Sequence, residues 1–299
     1  MSRTLLVIDL PNLARKAFHI HGGRFTGADG RPTGTAYGLL GQTLAIARAA
    51  KATHIAGAIE AGGTTMRREI DPGYKRHRKP SPDGFFAEME LAIEAFAAMG
   101  WSVYRADGYE ADDTIATLAV SAVAAGIERV EVGSADRDLF GVVTDRVGVL
   151  WTGGPTSEID RHRITPDEVR ARLGVAPDEV AAYKAIAGDA SDGYGGVRGI
   201  GPDTAARLIA TYHTLDELYA NLDAVTPAGV RTKLVNGEAD ARRSYAIAWL
   251  RTEAPLTPAF EPEAGPLVPR DRERAIAYLR TAAMGSLITR LPGARTARR

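Results

Sequence analysis

The side chains best suited to chemistry in this sequence are acidic, at positions where an α/β fold brings strand ends together: Asp9, Glu60, Glu110, Asp112, Asp113, Asp136, Asp138, Asp189 and Asp192. Two carboxylates about 4 Å apart repel by roughly 4 kcal/mol at an effective dielectric near 20. A converging set therefore needs divalent cations or heavy protonation to stay folded. Ligation by oxygen alone points to Mg²⁺ or Mn²⁺. Asp9 closes the run LLVID, Glu60 closes HIAGAIE, and Asp136 and Asp138 follow VEVG within GSADRDL. GYEADD supplies Glu110, Asp112 and Asp113 at a helix start, with Glu110 and Asp113 on one face at i, i+3. One acid in a first turn is an ordinary dipole partner, but the whole set is not explained that way. In GDASDG, Asp189 and Asp192 lie three apart; alone, that spacing fits an Asx turn as well as a metal site.

Cationic chemistry is grouped too. Between Arg67 and Lys79 lie six Lys/Arg, beginning shortly after Glu60 and so near the acidic crevice. The prolines and glycines of MRREIDPGYKRHRKPSPDG predict a mobile segment over its mouth, with Arg76 a nucleic-acid contact and Tyr74, beside Lys75, a ring for stacking an unpaired base. Further on, Gly196, Val197, Arg198, Gly199, Ile200 and Gly201 precede Pro202 in a segment resembling the hairpin of helix-hairpin-helix modules. Glycines there let backbone N–H groups approach a phosphate, next to a helix N-terminus. Such a contact grips DNA without reading bases. Arg198 and Arg207 are candidate supporting contacts; Lys233 is a weaker one that also reads as a solvated helix position.

The elements that must position these groups follow from periodicity. Short β-branched runs alternate with helical patterns over the first 170 or so residues, predicting a mostly parallel central sheet flanked by helices. Strands are expected at Thr4 to Asp9, Thr53 to Glu60, Trp101 to Arg105, Arg129 to Gly133 and Arg146 to Leu150, and helices over 35–51 and Pro82 to Gly100. In open parallel sheets ligands bind outside the carboxyl ends of the strands, which is where these acids fall. A helical module follows: Pro177 to Ala187, Pro202 to Tyr212, Pro227 to Val235 and Glu238 to Arg251. A proline-rich stretch from Pro255 to Pro269 leads to a helix from Asp271 to Met284 and a basic stub with Arg295, Arg298 and Arg299, expected to be disordered.

Composition bounds the rest. The chain has 299 residues, 45% of them hydrophobic, enough for two domains with real cores. Its 37 Lys/Arg balance 37 Asp/Glu, but the two signs are segregated along the sequence. No cysteine is present, which excludes disulfides and thiolate chemistry. No apolar window suits a membrane span or a signal peptide, so a cytoplasmic location is expected.

Taken together, LLVIDLPNLARKAF, RREIDPGYK, GYEADD, SADRDL, GDASDG, GVRGIGPDTAARLI and RTEAPL resemble, in order, the motifs of the 5′ nuclease family: bacterial flap endonucleases, phage 5′ exonucleases and the amino-terminal nuclease domain of bacterial DNA polymerase I. The resemblance covers about residues 4 to 256 and implies a PIN-like 5′ nuclease core with a helix-hairpin-helix (H3TH) module. By it, residues 1–170 form the nuclease core with a basic arch at about 64–90, 171–252 a DNA-binding module, and 253–299 a C-terminal extension. It also implies a catalytic metal site of Asp9, Glu60, Glu110, Asp112, Asp113 and Asp136, and a second of Asp138, Asp189 and Asp192. Lys75 matches the arch lysine and Arg67 the upstream arginine, both acting on the scissile phosphate, and K⁺ is implied at the hairpin. Two residues depart: Glu60 stands where the family usually has Asp, and Met66 replaces a common aromatic. About 45 residues follow the nuclease unit, so a stand-alone nuclease is expected.

The activity so implied is divalent-metal-dependent 5′-flap endonuclease and 5′-3′ exonuclease action on flapped, nicked or gapped duplex DNA in replication and repair. A catalytically weakened DNA-junction binder, altered through Glu60, is the alternative. An RNA-directed nuclease is a third reading, disfavoured by the glycine hairpin.

Overall fold

Every residue of the run TLLVID is buried, which places it at the centre of a sheet covered on both faces. The computed structural model describes residues 3–154, 162–263 and 265–293. Seven strands form one sheet: β1 (Thr4–Asp9), β2 (His54–Ala58), β3 (Ser102–Ala106), β4 (Arg129–Ser134), β5 (Val147–Trp151), β6 (Arg163–Ile164) and β7 (Leu256–Thr257). Their order is β6-β5-β4-β1-β2-β3-β7. The five inner strands are parallel and the two edge strands antiparallel. The mostly parallel sheet read from the sequence is therefore present, with two short edge strands that were not expected.

Alternation along β1 sends Leu5 and Val7 into one core and Leu6 and Ile8 into the other. Each such side chain contributes about 1.5–3 kcal/mol on burial. Leu6 and Ile8 meet α1 (Leu10–His21), α2 (Gly34–Ala49) and, past the short α3 (Met66–Ile70), α4 (Phe85–Ala98). On the opposite face α5 (Ala111–Ala124) packs through Ile115, Leu118 and Ala122. That second core runs on without a break into the helical module: α6 (Pro166–Leu173), α7 (Val180–Ala187), α8 (Pro202–Tyr212), α9 (Leu215–Ala220) and α10 (Ala228–Ala248).

Three features depart from the sequence reading. Helix α1 follows β1 with no intervening loop; Asp9 is its N-cap, accepting from the Asn12 N–H at 3.1 Å, and Pro11 sits in its first turn, where proline is tolerated. The two helices expected around Asn236 and Gly237 are one helix of 21 residues. Val197 packs onto Gly237 so closely that an added Cβ would lie 2.9 Å from its Cγ1, so tertiary contact overrides the weak propensity of glycine. Finally, within the proline-rich stretch β7 lines the β3 edge and the Ile55 N–H donates to Gly265, an edge the sequence reading did not assign, while the expected terminal helix is present as α11 (Arg272–Thr281), whose Leu279 seals the α2–α4 side together with Met284 and Leu287 just after it. Arg295, Arg298 and Arg299 lie outside the described residues. Among the described residues no helix is long and apolar enough to cross a membrane.

Candidate functional site

Asp9 ends β1, Glu60 lies two residues beyond β2, Asp136 two beyond β4, and Glu110 and Asp112 open α5. These five acids line one cavity of about 640 Å³ at the carboxyl edge of the sheet. Arg15, Lys16 and His19 of α1 also line it, and the sequence reading missed them because it assigned no helix there. Their signal was legible: an aspartate N-cap, proline in the first turn, and apolar Leu10, Leu13, Ala14 and Ala17 at helical spacing.

The acids are not equally compensated. Ser134 Oγ donates to Asp9 Oδ2 at 2.6 Å and receives the Asp136 N–H at 3.1 Å, tying the ends of β1 and β4 together. Even so, burial pushes Asp9 up to about 6, helped by the charge of Glu60. Burial, then Asp138, carries Asp136 to about 7, and burial with Asp136 and Asp9 raises Asp112 well above the usual carboxylate range. Among the described residues no Lys or Arg forms an ion pair with these three. Nor is any group of three or more acids among those residues already arranged to hold an ion. The donors face one space without closing on a common centre, as mutually repelling groups do. Their chemistry, all oxygen and short of positive charge, fits a hard divalent cation.

A stability prediction follows with a definite sign. Asp9 and Asp136 have folded pKa values raised above 3.8, so between about pH 4 and 7 the native state holds protons that the unfolded chain has released. Stability without metal should fall as pH rises through that window, by on the order of 2–4 kcal/mol. Melting in EDTA at pH 5 and pH 8 tests this; Mn²⁺ should restore the loss at pH 8, and a flat profile would contradict the repulsion.

The other acids are already paired. Asp113 is fully buried and faces away from the cavity; both its oxygens are taken by Arg67, with Nη2 to Oδ1 at 2.9 Å, the Arg251 N–H at 2.9 Å and the Glu110 N–H at 3.2 Å. Arg67 is 4% exposed, and its Nε donates to the Ile247 carbonyl at 2.8 Å at the end of α10. Asp113 was expected to meet an ion and Arg67 a phosphate; in this structure the two meet each other, and the pair clasps α3, α5 and α10 together.

Tyr74 also departs from expectation. Expected to offer its ring to a base, it is buried, with its hydroxyl 3.0 Å from Glu110 Oε2 and 2.9 Å from Asp192 Oδ2, one proton shared between the two carboxylates. Lys75 Nζ lies 2.8 Å from Glu110 Oε2. Burial works against its charge, but Glu110 and Asp192 carry its pKa above the usual lysine range. Its φ of 56° is left-handed, a strained conformation for a non-glycine residue, and the Lys75 N–H is held by the Asp192 carbonyl at 2.8 Å. Arg78 pairs with Asp192, while Arg76 is exposed. The basic segment thus lies folded onto the acids.

Asp138 and Asp189 border a neighbouring cavity of about 580 Å³, which also includes Asp136. The buried Lys184 of α7, another residue the sequence reading missed, bonds both. In the hairpin, Val197 and Ile200 are buried anchors whose N–H groups donate to the Ile186 and Val197 carbonyls, while Arg198, Gly199, Gly201 and Arg207 are exposed. Gly196 crosses Gly188 so tightly that a Cβ would stand 2.4 Å from the Gly188 nitrogen. No side chain caps the α8 N-terminus, so amides there are left available to an anion.

Family models describing the 5′-3′ exonuclease N-terminal resolvase-like domain and the 5′-3′ exonuclease C-terminal SAM fold match residues 4–174 and 175–270. The chain belongs to the 5′-3′ exonuclease family. Relatives of this family include DNA polymerase I of Thermus thermophilus, 34% identical over 95% of this chain, and that of Mycobacterium tuberculosis, 35% identical over 90%. The chain spans only 32% and 29% of their lengths. The fold is shared with the flap endonuclease of bacteriophage T5, solved as a pseudo-enzyme-product complex with DNA and metal ions: TM-score 0.69, 21% identity, covering 84% of this chain and 90% of that one.

Proposed function

We propose that this member of the 5′-3′ exonuclease family is a divalent-metal-dependent, structure-selective DNA nuclease that removes 5′ flaps and degrades duplexes from 5′ ends, in replication and repair. The observation that carries the reading is the convergence of Asp9, Glu60, Glu110, Asp112 and Asp136 on one cavity walled by cationic side chains. Asp9, Asp112 and Asp136 would hold the ion, with Glu60 and Glu110 beside it. When bound, Mg²⁺ or Mn²⁺ supplies Lewis-acid stabilisation of charge on a phosphodiester.

The protein's own groups do the rest. Arg15 and Lys16 attract the phosphate backbone to the mouth, and Lys75, released from Glu110, steadies charge on the scissile group. The arch therefore swings away from Asp192 and Glu110 as DNA enters, and Arg76 meets the strand. Residues 171–252 hold the duplex through the Gly196 to Gly201 loop, anchored by Val197 and Ile200, with the amides of Arg198, Gly199 and Gly201 and the side chains of Arg198 and Arg207 facing the DNA backbone. K⁺ would also sit at this loop. The T5 flap endonuclease, which shares this fold, was solved with DNA and metal ions, which supports a metal-dependent reading on DNA.

A gel assay on 5′-flap and nicked duplexes tests it: cleavage near the junction with Mg²⁺ or Mn²⁺, and none in EDTA. Flap DNA shifted but left uncut with every divalent metal would favour the junction-binding alternative, and Glu60→Asp would then be the substitution to restore cleavage. Preference for all-RNA substrates would sink the DNA assignment.

A further inference from the structure

Lys184 is 7% exposed, and its ammonium bonds Asp138 and reaches Asp189 Oδ2 at 2.8 Å. The remaining oxygen, Asp189 Oδ1, is taken by the Ser191 N–H at 2.8 Å and by Ser191 Oγ. Asp192, the third acid of that set, is engaged by Arg78 and Tyr74. Asp9, Asp112 and Asp136 have no such cation among the described residues, although Asp136 borders both cavities. One carboxylate set is therefore short of positive charge and the adjoining one is supplied with it. A lysine reaches this position only because α7 sets Lys184 against the turn holding Asp138; on an otherwise apolar helix its long stem is buried and its head meets the acids.

We infer that Lys184 is a built-in cation of the second carboxylate set: it takes the place of an ion between Asp138 and Asp189, so that the DNA-free protein binds one divalent ion rather than two. The inference rests on the metal reading of the first cavity. An ion brought to Asp138 and Asp189 would confront the ammonium at contact distance, and like charges there exclude one another unless the lysine withdraws. Removing the positive charge leaves two facing carboxylates beside Asp136, a ready oxygen site for a second hard ion.

Counting Mn²⁺ on the purified full chain without DNA, by calorimetric titration and electron paramagnetic resonance, tests this without any activity readout. Wild type is expected to bind one ion with the spectrum of an isolated Mn²⁺. Lys184→Met should bind two, with the spectrum of a coupled pair, and Lys184→Arg should return to one. Should methionine disturb the fold, seen by circular dichroism, Lys184→Gln stands in as a neutral side chain that still donates a hydrogen bond. Two ions in wild type, or one in a folded neutral variant, would overturn the inference and leave the metal reading standing. No tightly bound ion in any of these proteins would overturn both.

Discussion

Asp136→Asn is expected to lower flap cleavage by about a thousandfold or more while making the metal-free protein more stable. The two effects have one cause. Asp136 borders both cavities, so it faces the acids of each set, and burial together with Asp138 has carried its carboxyl to about 7. Asparagine keeps its shape and removes its charge. A thousandfold loss corresponds to about 4 kcal/mol of transition-state stabilisation, in the range for removing one preorganised electrostatic group. In EDTA at pH 8 the same change relieves repulsion with Asp9 and Asp112, so the melting temperature should rise. Single-turnover cleavage and thermal melts, run side by side, measure both. A variant that cuts at the wild-type rate would remove Asp136 from the chemistry; one that melts lower would mean its charge is compensated by something other than an added cation.

The residues behind that prediction were legible in the sequence because strand ends are. Buried parallel strands read as short apolar runs, and an acid just past such a run falls at the carboxyl edge whatever the remaining topology. Burial of individual polar side chains is not written in the same way. Tyr74 and Asp113 each lie one residue from a group facing the cavity, and period alone cannot say which neighbour turns inward. Lys184 is a single charge in an apolar helix; its partners come from segments 46 and 5 residues away, and only the packing of α7 beside Asp138 brings the far one into reach. Gly237 illustrates the opposite error. Local propensity read Asn-Gly as a break, and the close approach of Val197, 40 residues earlier, turned it into a packing requirement. Charge patterning marked the basic segment, but its folded-down position depends on specific pairs with Glu110 and Asp192 that composition does not encode.

Breaking the Arg67–Asp113 clasp should damage the fold before it damages the chemistry. Asp113→Ala leaves a buried guanidinium without its bidentate partner, and Arg67→Ala leaves a fully buried carboxylate with only backbone donors. Removing one member of a buried ion pair costs about 3–5 kcal/mol, because the survivor stays desolvated and unpaired. Arg67→Ala also frees the Ile247 carbonyl, so it should be at least as severe. Removing both should cost clearly less than the sum, since neither orphan charge then remains; the coupling read from a double-mutant cycle in urea is expected to be about 2–3 kcal/mol. At about 2–4 °C per kcal/mol for a chain somewhat shorter than this one, each single variant should melt roughly 10 °C lower. Retained activity per folded molecule at low temperature would support the clasp, because the cavity acids are untouched. If Asp113→Ala instead melts like wild type yet cuts nothing, Asp113 acts on the metal or the substrate directly, and the pairing with Arg67 is a resting arrangement that DNA dissolves.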